Sequence, residues 1–169
     1  MSLRRNHAWI AVVVAAAFVL GALLPTAFGR SQAPAPVRSA LAQTDSVQGA
    51  PKRTMVLSKV VVPPGAQLAL HHHLGTQISR ITAGTLTYTV RQGSATVRSG
   101  EADQQPKLVR RITAGQTARI QPGQWLVEQP SDIHEAANRG SKPVVIYLAT
   151  LLKKGAPPAT PVTLAGDDS

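Results

Sequence analysis

Apolar and polar residues alternate with period two through the middle of this chain. The alternation is clearest over residues 85–90, where Leu86, Tyr88 and Val90 fall on one face and three threonines fall on the other. This is the pattern of a half-buried strand. Similar short segments, separated by Gly and Pro turn signals, lie at residues 54–62, 68–73, 77–82, 95–98, 108–112, 118–120, 124–128, 133–138 and 144–152. Many short strands with regular turns predict an all-β fold in which two sheets form a jelly roll or barrel.

The N-terminal segment has a different pattern. Two arginines precede an uncharged apolar stretch at residues 8–24, and the small residues Ala27 and Gly29 follow it at the distance of a cleavage site. This order predicts a helical secretory signal over residues 1–29 and therefore an exported protein, periplasmic or secreted. The apolar stretch is slightly shorter than the roughly 20 residues that span a bilayer. An uncleaved anchor in the inner membrane is the alternative.

Two further segments flank the predicted strands. Residues 30–53 are rich in Ala, Pro, Ser and Gln, a composition typical of a flexible spacer. Residues 153–169 contain three prolines and end in Asp-Asp-Ser, which predicts a tail that either lies on the barrel or is disordered. The predicted domain therefore covers residues 54–152, and no internal repeat indicates a second one.

Composition excludes several kinds of chemistry. The chain has 169 residues, enough for one domain, and it has no cysteine. A thiolate can therefore serve neither as a nucleophile nor as a metal ligand. The formal net charge is +10, but the basic residues of the predicted domain fall mostly singly and have no interleaved aromatic residues. This pattern indicates solvated strands and turns, and it argues against nucleic-acid binding.

Histidine supplies the strongest candidates for chemistry. His71, His72 and His73 are consecutive, and His134 follows far downstream. Because side chains alternate along a strand, His71 and His73 project to one face and His72 to the other. Two imidazoles on one face of a strand can reach a single ion, and Gln77 can add an oxygen donor.

The two histidine segments resemble the two motifs of the cupin superfamily, in the same order and with matching spacing. They read Gly65-x5-His71-x-His73-x3-Gln77-x6-Gly84 and Gly123-x10-His134-x3-Asn138.

This chain departs from the cupin motifs at two places. Gln77 stands where the first motif has glutamate. In the second motif, Pro130 falls one residue later than expected, and Ser131 and Asp132 replace the usual Gly turn.

The resemblance implies a cupin jelly-roll barrel that binds a divalent transition metal. The candidate metals are Fe, Zn, Ni, Cu and Mn, and the implied ligands are His71, His73, Gln77 and His134. It also implies a homodimer, since cupin barrels commonly pair through their outer strands. A shell of three neutral imidazoles and a neutral amide would leave the full charge on the ion. Such an ion favours an anionic small-molecule partner.

Strand parity predicts the residues that line the cavity, with an ordinary core role as the alternative for the two aromatic ones. They are Ser79, Tyr88, Trp125 and Val127. Asp132 and Glu135 lie beside His134 in sequence and are candidate acid/base groups. Glu135 should nevertheless face outward, because it is adjacent to an inward-facing histidine.

Three functions remain open from the sequence. The leading hypothesis is an exported metal-binding cupin that binds or acts on a small anionic metabolite. If it is an enzyme, activation of O2 by a dioxygenase, or isomerase or lyase chemistry, would use the metal. The motifs contain no dedicated general base, and this argues against both the dioxygenase and the isomerase or lyase hypothesis. The alternatives are a non-catalytic module that captures a small ligand or a metal, and a structural barrel with a decayed site. Fold alone does not choose among these functions.

Overall fold

The computed structural model describes residues 34–163, and this part of the chain is all β, without a helix. The signal segment predicted over residues 1–29 lies outside it. Within the described residues, no helix has the length and apolar character needed to cross a membrane. The strands are β1 (Val37–Thr44), β2 (Arg53–Val62), β3 (Gln67–His72), β4 (Gly75–Ala83), β5 (Leu86–Gln92), β6 (Ser94–Ser99), β7 (Lys107–Thr113), β8 (Thr117–Ile120), β9 (Gln124–Glu128), β10 (Ile133–Ala137), β11 (Val144–Lys153) and β12 (Thr160–Pro161).

The strands form two antiparallel sheets. The larger sheet has the order β1-β2-β11-β4-β9-β6-β7, and the smaller has the order β12-β3-β10-β5-β8. Apolar side chains from both sheets form one core, in which Val62, Ile81, Val97 and Leu126 of the large sheet and Val90 of the small sheet are fully buried. Burial of one such side chain contributes about 1.5–3 kcal/mol. The predicted all-β fold with a double-sheet jelly roll is confirmed.

Strand β1 lies within residues 30–53, for which composition predicted a flexible spacer, and it corrects that prediction. It pairs with β2 along its length, from Val37 opposite Val61 to Thr44 opposite Met55. Nearly all of its side chains are exposed, so no apolar alternation marked it. Backbone hydrogen bonds to the edge of β2 hold it, and such bonds depend little on side-chain pattern.

The C-terminal segment lies on the barrel as far as it is described. In β12, Thr160 pairs with His72 and Pro161 pairs with His71 of β3. The amide of Val162 donates to the carbonyl of Leu70 at 3.1 Å. Of the two alternatives for this tail, the structure shows the packed one up to residue 163, beside the histidine strand.

Asn138 and Gly84, which belong to the two histidine motifs, have structural roles in the barrel. The side-chain amide of Asn138 donates to the carbonyls of Val62 and Lys142, both at 2.8 Å, and its oxygen accepts from the amide of Gly140. These bonds close the connection between β10 and β11. Gly84 has a φ of 70°, and an added Cβ would lie 2.6 Å from the carbonyl oxygen of Pro143. Glycine is therefore required there for both conformation and space.

Candidate metal centre

Strand register brings three histidines together. His71 and His134 are direct partners on the neighbouring strands β3 and β10, and His73 follows immediately after β3. All three are buried, and one ring nitrogen from each lies within 4.8 Å of the others. Three imidazoles at this separation are close enough to hold one ion.

Backbone carbonyls fix the orientation of two of these rings. The Nδ1 of His71 lies 2.6 Å from the carbonyl oxygen of Ala69, and the Nδ1 of His73 lies 2.7 Å from that of Pro158. A carbonyl only accepts hydrogen bonds, so each Nδ1 carries the proton and each Nε2 keeps its lone pair. Metal-binding histidines are typically held in this way.

His134 is held between an aromatic ring and a carboxylate. Its ring stacks on that of Tyr88, with centroids 5.1 Å apart and an interplanar angle of 25°. Its Nε2 lies 3.4 Å from Glu128 Oε1, whereas its buried Nδ1 has no hydrogen-bond partner within residues 34–163. The Nε2 is therefore the nitrogen of His134 that faces the carboxylate in the site.

Glu128 is the member of the site that the sequence reasoning missed. It lies on β9 and only 3 % of its surface is exposed. Its two carboxylate oxygens face His134 Nε2 at 3.4 Å and His73 Nε2 at 3.5 Å. The site therefore contains a buried anion. The expected donor set of three imidazoles and one amide does not include this carboxylate.

The environment favours the neutral form of two of these imidazoles and the ionised form of the carboxylate. Burial, followed by the positive charge of a protonated His134, lowers the pKa of His71 to about 4. Burial also lowers the pKa of His134, against the opposing effect of Glu128. For Glu128, burial alone would raise the pKa, but His134, His73 and Gln77 together hold it below its ordinary value.

Gln77 lies in the site, but its oxygen points away from the histidines. Its Oε1 accepts a hydrogen bond from the hydroxyl of Thr150 at 3.3 Å. Its Nε2 donates to Glu128 Oε2 and lies 3.1 Å from His73 Nε2. Turning the amide over would set an oxygen against the carboxylate, so the neighbours determine this orientation. The predicted amide oxygen donor is therefore not presented to the histidines.

A cavity of about 210 Å³ lies against His71, Gln77, Glu128 and His134. Ser79 and Tyr88, two of the residues that parity predicted to line it, are part of its wall. Its apolar wall includes Val60, Leu68, Leu70, Leu86, Ile146 and Leu148.

Trp125 and Val127 were expected in the cavity wall, and the structure places them outside it. The inward positions of β9 are Leu126 and Glu128, which are buried. The indole of Trp125 instead donates to the carbonyl of Gly100 at 3.0 Å. A one-residue error in strand parity exchanges every inward side chain for an outward one.

The acidic neighbours of His134 in sequence have structural roles. Asp132 is buried and accepts hydrogen bonds from the backbone amides of Ser94 and Gln129, which holds the turn before β10. Glu135 faces outward, as predicted, and pairs with Arg91 at 2.7 Å. His72 also points away from the cluster, with its Nδ1 3.3 Å from the carbonyl oxygen of Pro130.

Tyr88 brings a hydroxyl to the same cavity. Its oxygen is buried and has no hydrogen-bond partner in the described part of the chain. Burial, reinforced by the negative charge of Glu128, raises the pKa of Tyr88 above its ordinary value. The phenol therefore stays protonated and can donate a hydrogen bond into the cavity.

Imidazole nitrogens with a carboxylate suit divalent Zn, Fe, Ni and Cu. The donor set present, with its ring orientations fixed by backbone carbonyls, fits such an ion. His71, His73 and His134 are the residues that would hold it.

The sequence matches no family model, and no curated protein matches it. Solved structures do. The L-ribose isomerase of Geodermatophilus obscurus shares 12% identity and a TM-score of 0.56, over 77% of this chain and 70% of that one. The polyketide cyclase RemF of Streptomyces resistomycificus shares 18% identity and a TM-score of 0.51, over 80% and 76%. A cupin 2 domain-containing protein of Halorhodospira halophila shares 13% identity and a TM-score of 0.50, over 76% and 71%. The chain therefore has the cupin fold that its two histidine motifs predicted.

Proposed function

We propose that this protein binds a divalent transition metal through His71, His73 and His134 and holds a small carboxylate-bearing molecule in the adjoining cavity. The observation that carries the proposal is the convergence of three buried imidazoles on the wall of an apolar cavity that also contains Arg38.

Arg38 supports the carboxylate part of the proposal. It lies on β1, is partly buried and lines the cavity. Within residues 34–163, no carboxylate lies within ion-pair distance of its guanidinium. Burial lowers the pKa of Arg38, and the charge of Glu128 opposes this. A guanidinium still remains charged and forms paired hydrogen bonds with a carboxylate.

The rest of the wall indicates the size and character of the ligand. The cavity volume of about 210 Å³ is below the roughly 300–1,000 Å³ of pockets for drug-sized molecules. Leu68, Leu70, Ile146 and Leu148 give it an apolar surface. A small acid with an apolar body fits these walls better than a sugar does, because a sugar would leave most of its hydroxyls without partners.

The chain supplies several groups for chemistry on such a molecule. A bound metal of this kind polarises a ligand oxygen as a Lewis acid. Beside it, the Tyr88 hydroxyl can donate a hydrogen bond to the ligand. An isomerase and a cyclase among the similar structures support an enzymatic role. A non-catalytic module that captures the same ligand is the alternative.

A thermal-shift panel tests the carboxylate part. Small apolar acids and their matching amides are added to the metal-loaded full chain, and to the variants Arg38→Gln and Arg110→Gln. Arg110 is exposed on β7, away from the cavity. We expect the acids, but not the amides, to stabilise the native protein and Arg110→Gln, and Arg38→Gln to lose this effect while it keeps its metal. Equal responses to acids and amides would contradict the proposal.

We also propose that the protein acts outside the cytoplasm, on the support of the apolar stretch at residues 8–24 and the small residues after it. Cell fractionation with intact-mass measurement tests this. Export with cleavage after Gly29 supports a signal, whereas an intact chain in the membrane fraction supports the anchor. A full-length chain in the cytosol would refute both.

A further inference from the structure

We propose that Glu128 supplies the anionic ligand of the metal centre and that Gln77 acts as a positioning residue for its carboxylate. The cupin motif has its glutamate at the position of Gln77 on β4. In this chain the carboxylate lies on β9 instead, at the position directly opposite Gln77. The inference rests on the proposed metal site and extends its donor set to a residue outside both motifs.

Strand pairing explains how a carboxylate on β9 can take the place of one on β4. Gln77 and Glu128 are direct partners in the β4–β9 ladder. Side chains of such partners project to the same face, with Cβ atoms about 4.5–5.5 Å apart. Both are at most 3 % exposed. A carboxylate on β9 can therefore reach the space that a glutamate at position 77 would occupy.

The arrangement of donors and acceptors points to a cation between the carboxylate and the histidines. The Nδ1 of His73 donates to Pro158, so its Nε2 is an acceptor, and it lies 3.1 Å from the Gln77 amide nitrogen that also donates to Glu128 Oε2. The second carboxylate oxygen faces His134 Nε2 at 3.4 Å. This oxygen accepts no hydrogen bond from Gln77 or Ser79, so it is the carboxylate oxygen that an ion held by the histidines can bind.

The hydrogen bonds of Gln77 fit a positioning role. Thr150 holds the amide oxygen, and the amide nitrogen donates to Glu128 Oε2. Ser79 Oγ lies 3.3 Å from the same carboxylate oxygen. Two donors therefore hold one carboxylate oxygen and leave the other directed at His134. Glutamate at position 77 would replace this amide donor with a second anion.

The carboxylate also changes the charge of the centre. Three neutral imidazoles and one carboxylate leave a divalent ion with a net charge of about +1 instead of +2. The site therefore has an anionic ligand even though position 77 is glutamine. Because one negative charge is already present, recognition of an acid depends more heavily on Arg38.

Titration with Co²⁺ alone, followed by its visible absorption, tests the proposal on the full chain. The variants are Glu128→Gln, the exchange Gln77→Glu with Glu128→Gln, Gln77→Ala, and the control Glu135→Gln on the outer face. We expect Glu128→Gln to weaken Co²⁺ binding about 100-fold and to change the spectrum, and Gln77→Ala to weaken it about 10-fold. The exchanged pair should recover most of the affinity, since the Gln77 side chain already reaches within 3.1 Å of His73 Nε2. Glu135→Gln should match the native protein.

The possible outcomes separate this inference from the proposed function. Native affinity and an unchanged spectrum in Glu128→Gln would overturn the role of Glu128 and leave the three-histidine site intact. Absence of Co²⁺ binding to the native protein would overturn both. If Glu128→Gln fails to fold, Glu128→Asp decides: a changed Co²⁺ spectrum with weaker binding supports the proposal, and native affinity with an unchanged spectrum refutes it.

Discussion

The Nδ1 of His73 donates a hydrogen bond to the carbonyl of Pro158, 85 residues further along the chain, at 2.7 Å. Through this bond, the segment that follows β11 determines which nitrogen of His73 keeps its lone pair. The neighbouring strand β12 pairs with β3 at His71 and His72. The C-terminal segment therefore belongs to the candidate metal centre as well as to the barrel.

Truncation after residue 156 should weaken metal binding about 10-fold, because it removes the carbonyl that orients His73. Truncation after residue 163 is the matched control, since it leaves Pro158 and β12 in place. Metal titration of the two shortened chains measures the difference. If both bind like the full chain, Pro158 does not orient the ligand.

Tyr88→Phe should leave the free energy of unfolding unchanged or raise it by up to about 1 kcal/mol. The hydroxyl that it removes is buried and has no hydrogen-bond partner in the described part of the chain, and an unsatisfied polar group is costly. Urea unfolding of the native protein and the variant provides the measurement. A loss of more than about 1 kcal/mol would mean that the hydroxyl has a partner that stabilises the fold.

Asn138→Ala should lower the free energy of unfolding by about 3 kcal/mol. It removes three hydrogen bonds and leaves the carbonyls of Val62 and Lys142 without their donor, and such groups cost about 1–3 kcal/mol when buried. Arg139→Ala, at the exposed neighbouring position, is the control and should change stability by less than about 0.5 kcal/mol. Similar losses in the two variants would refute a specific role for the Asn138 side chain.

The sequence predicted most of the fold because the core strands alternate clearly. Leu86, Tyr88 and Val90 were assigned inward and are buried. The fixed spacing of the two motifs also allowed His71, His73 and His134 to be predicted as one cluster. Strand β1 could not be predicted in this way, because backbone pairing holds it and its side chains are mostly exposed.

Glu128 was missed because of the apolar residues around it. Trp125 and Val127 suggested the inward face of β9, and this parity placed Glu128 in solvent. In the structure, Leu126 and Glu128 face inward. A buried carboxylate contradicts hydrophobic patterning and persists only where polar partners satisfy it. The glutamine at the motif's glutamate position was the one signal in the sequence that pointed to a carboxylate from another strand.

Metal content of the purified protein tests the central claim most directly. The native chain and the variants His71→Ala, His134→Ala and His72→Ala are loaded with Zn²⁺, passed through a desalting column and measured by elemental analysis. His72 is the matched control, because it lies between His71 and His73 in sequence but points away from the cluster. We predict one ion per chain in the native protein and in His72→Ala, and loss of the ion in the other two variants. A native protein without metal, or equal metal in all four proteins, would contradict the three-histidine centre.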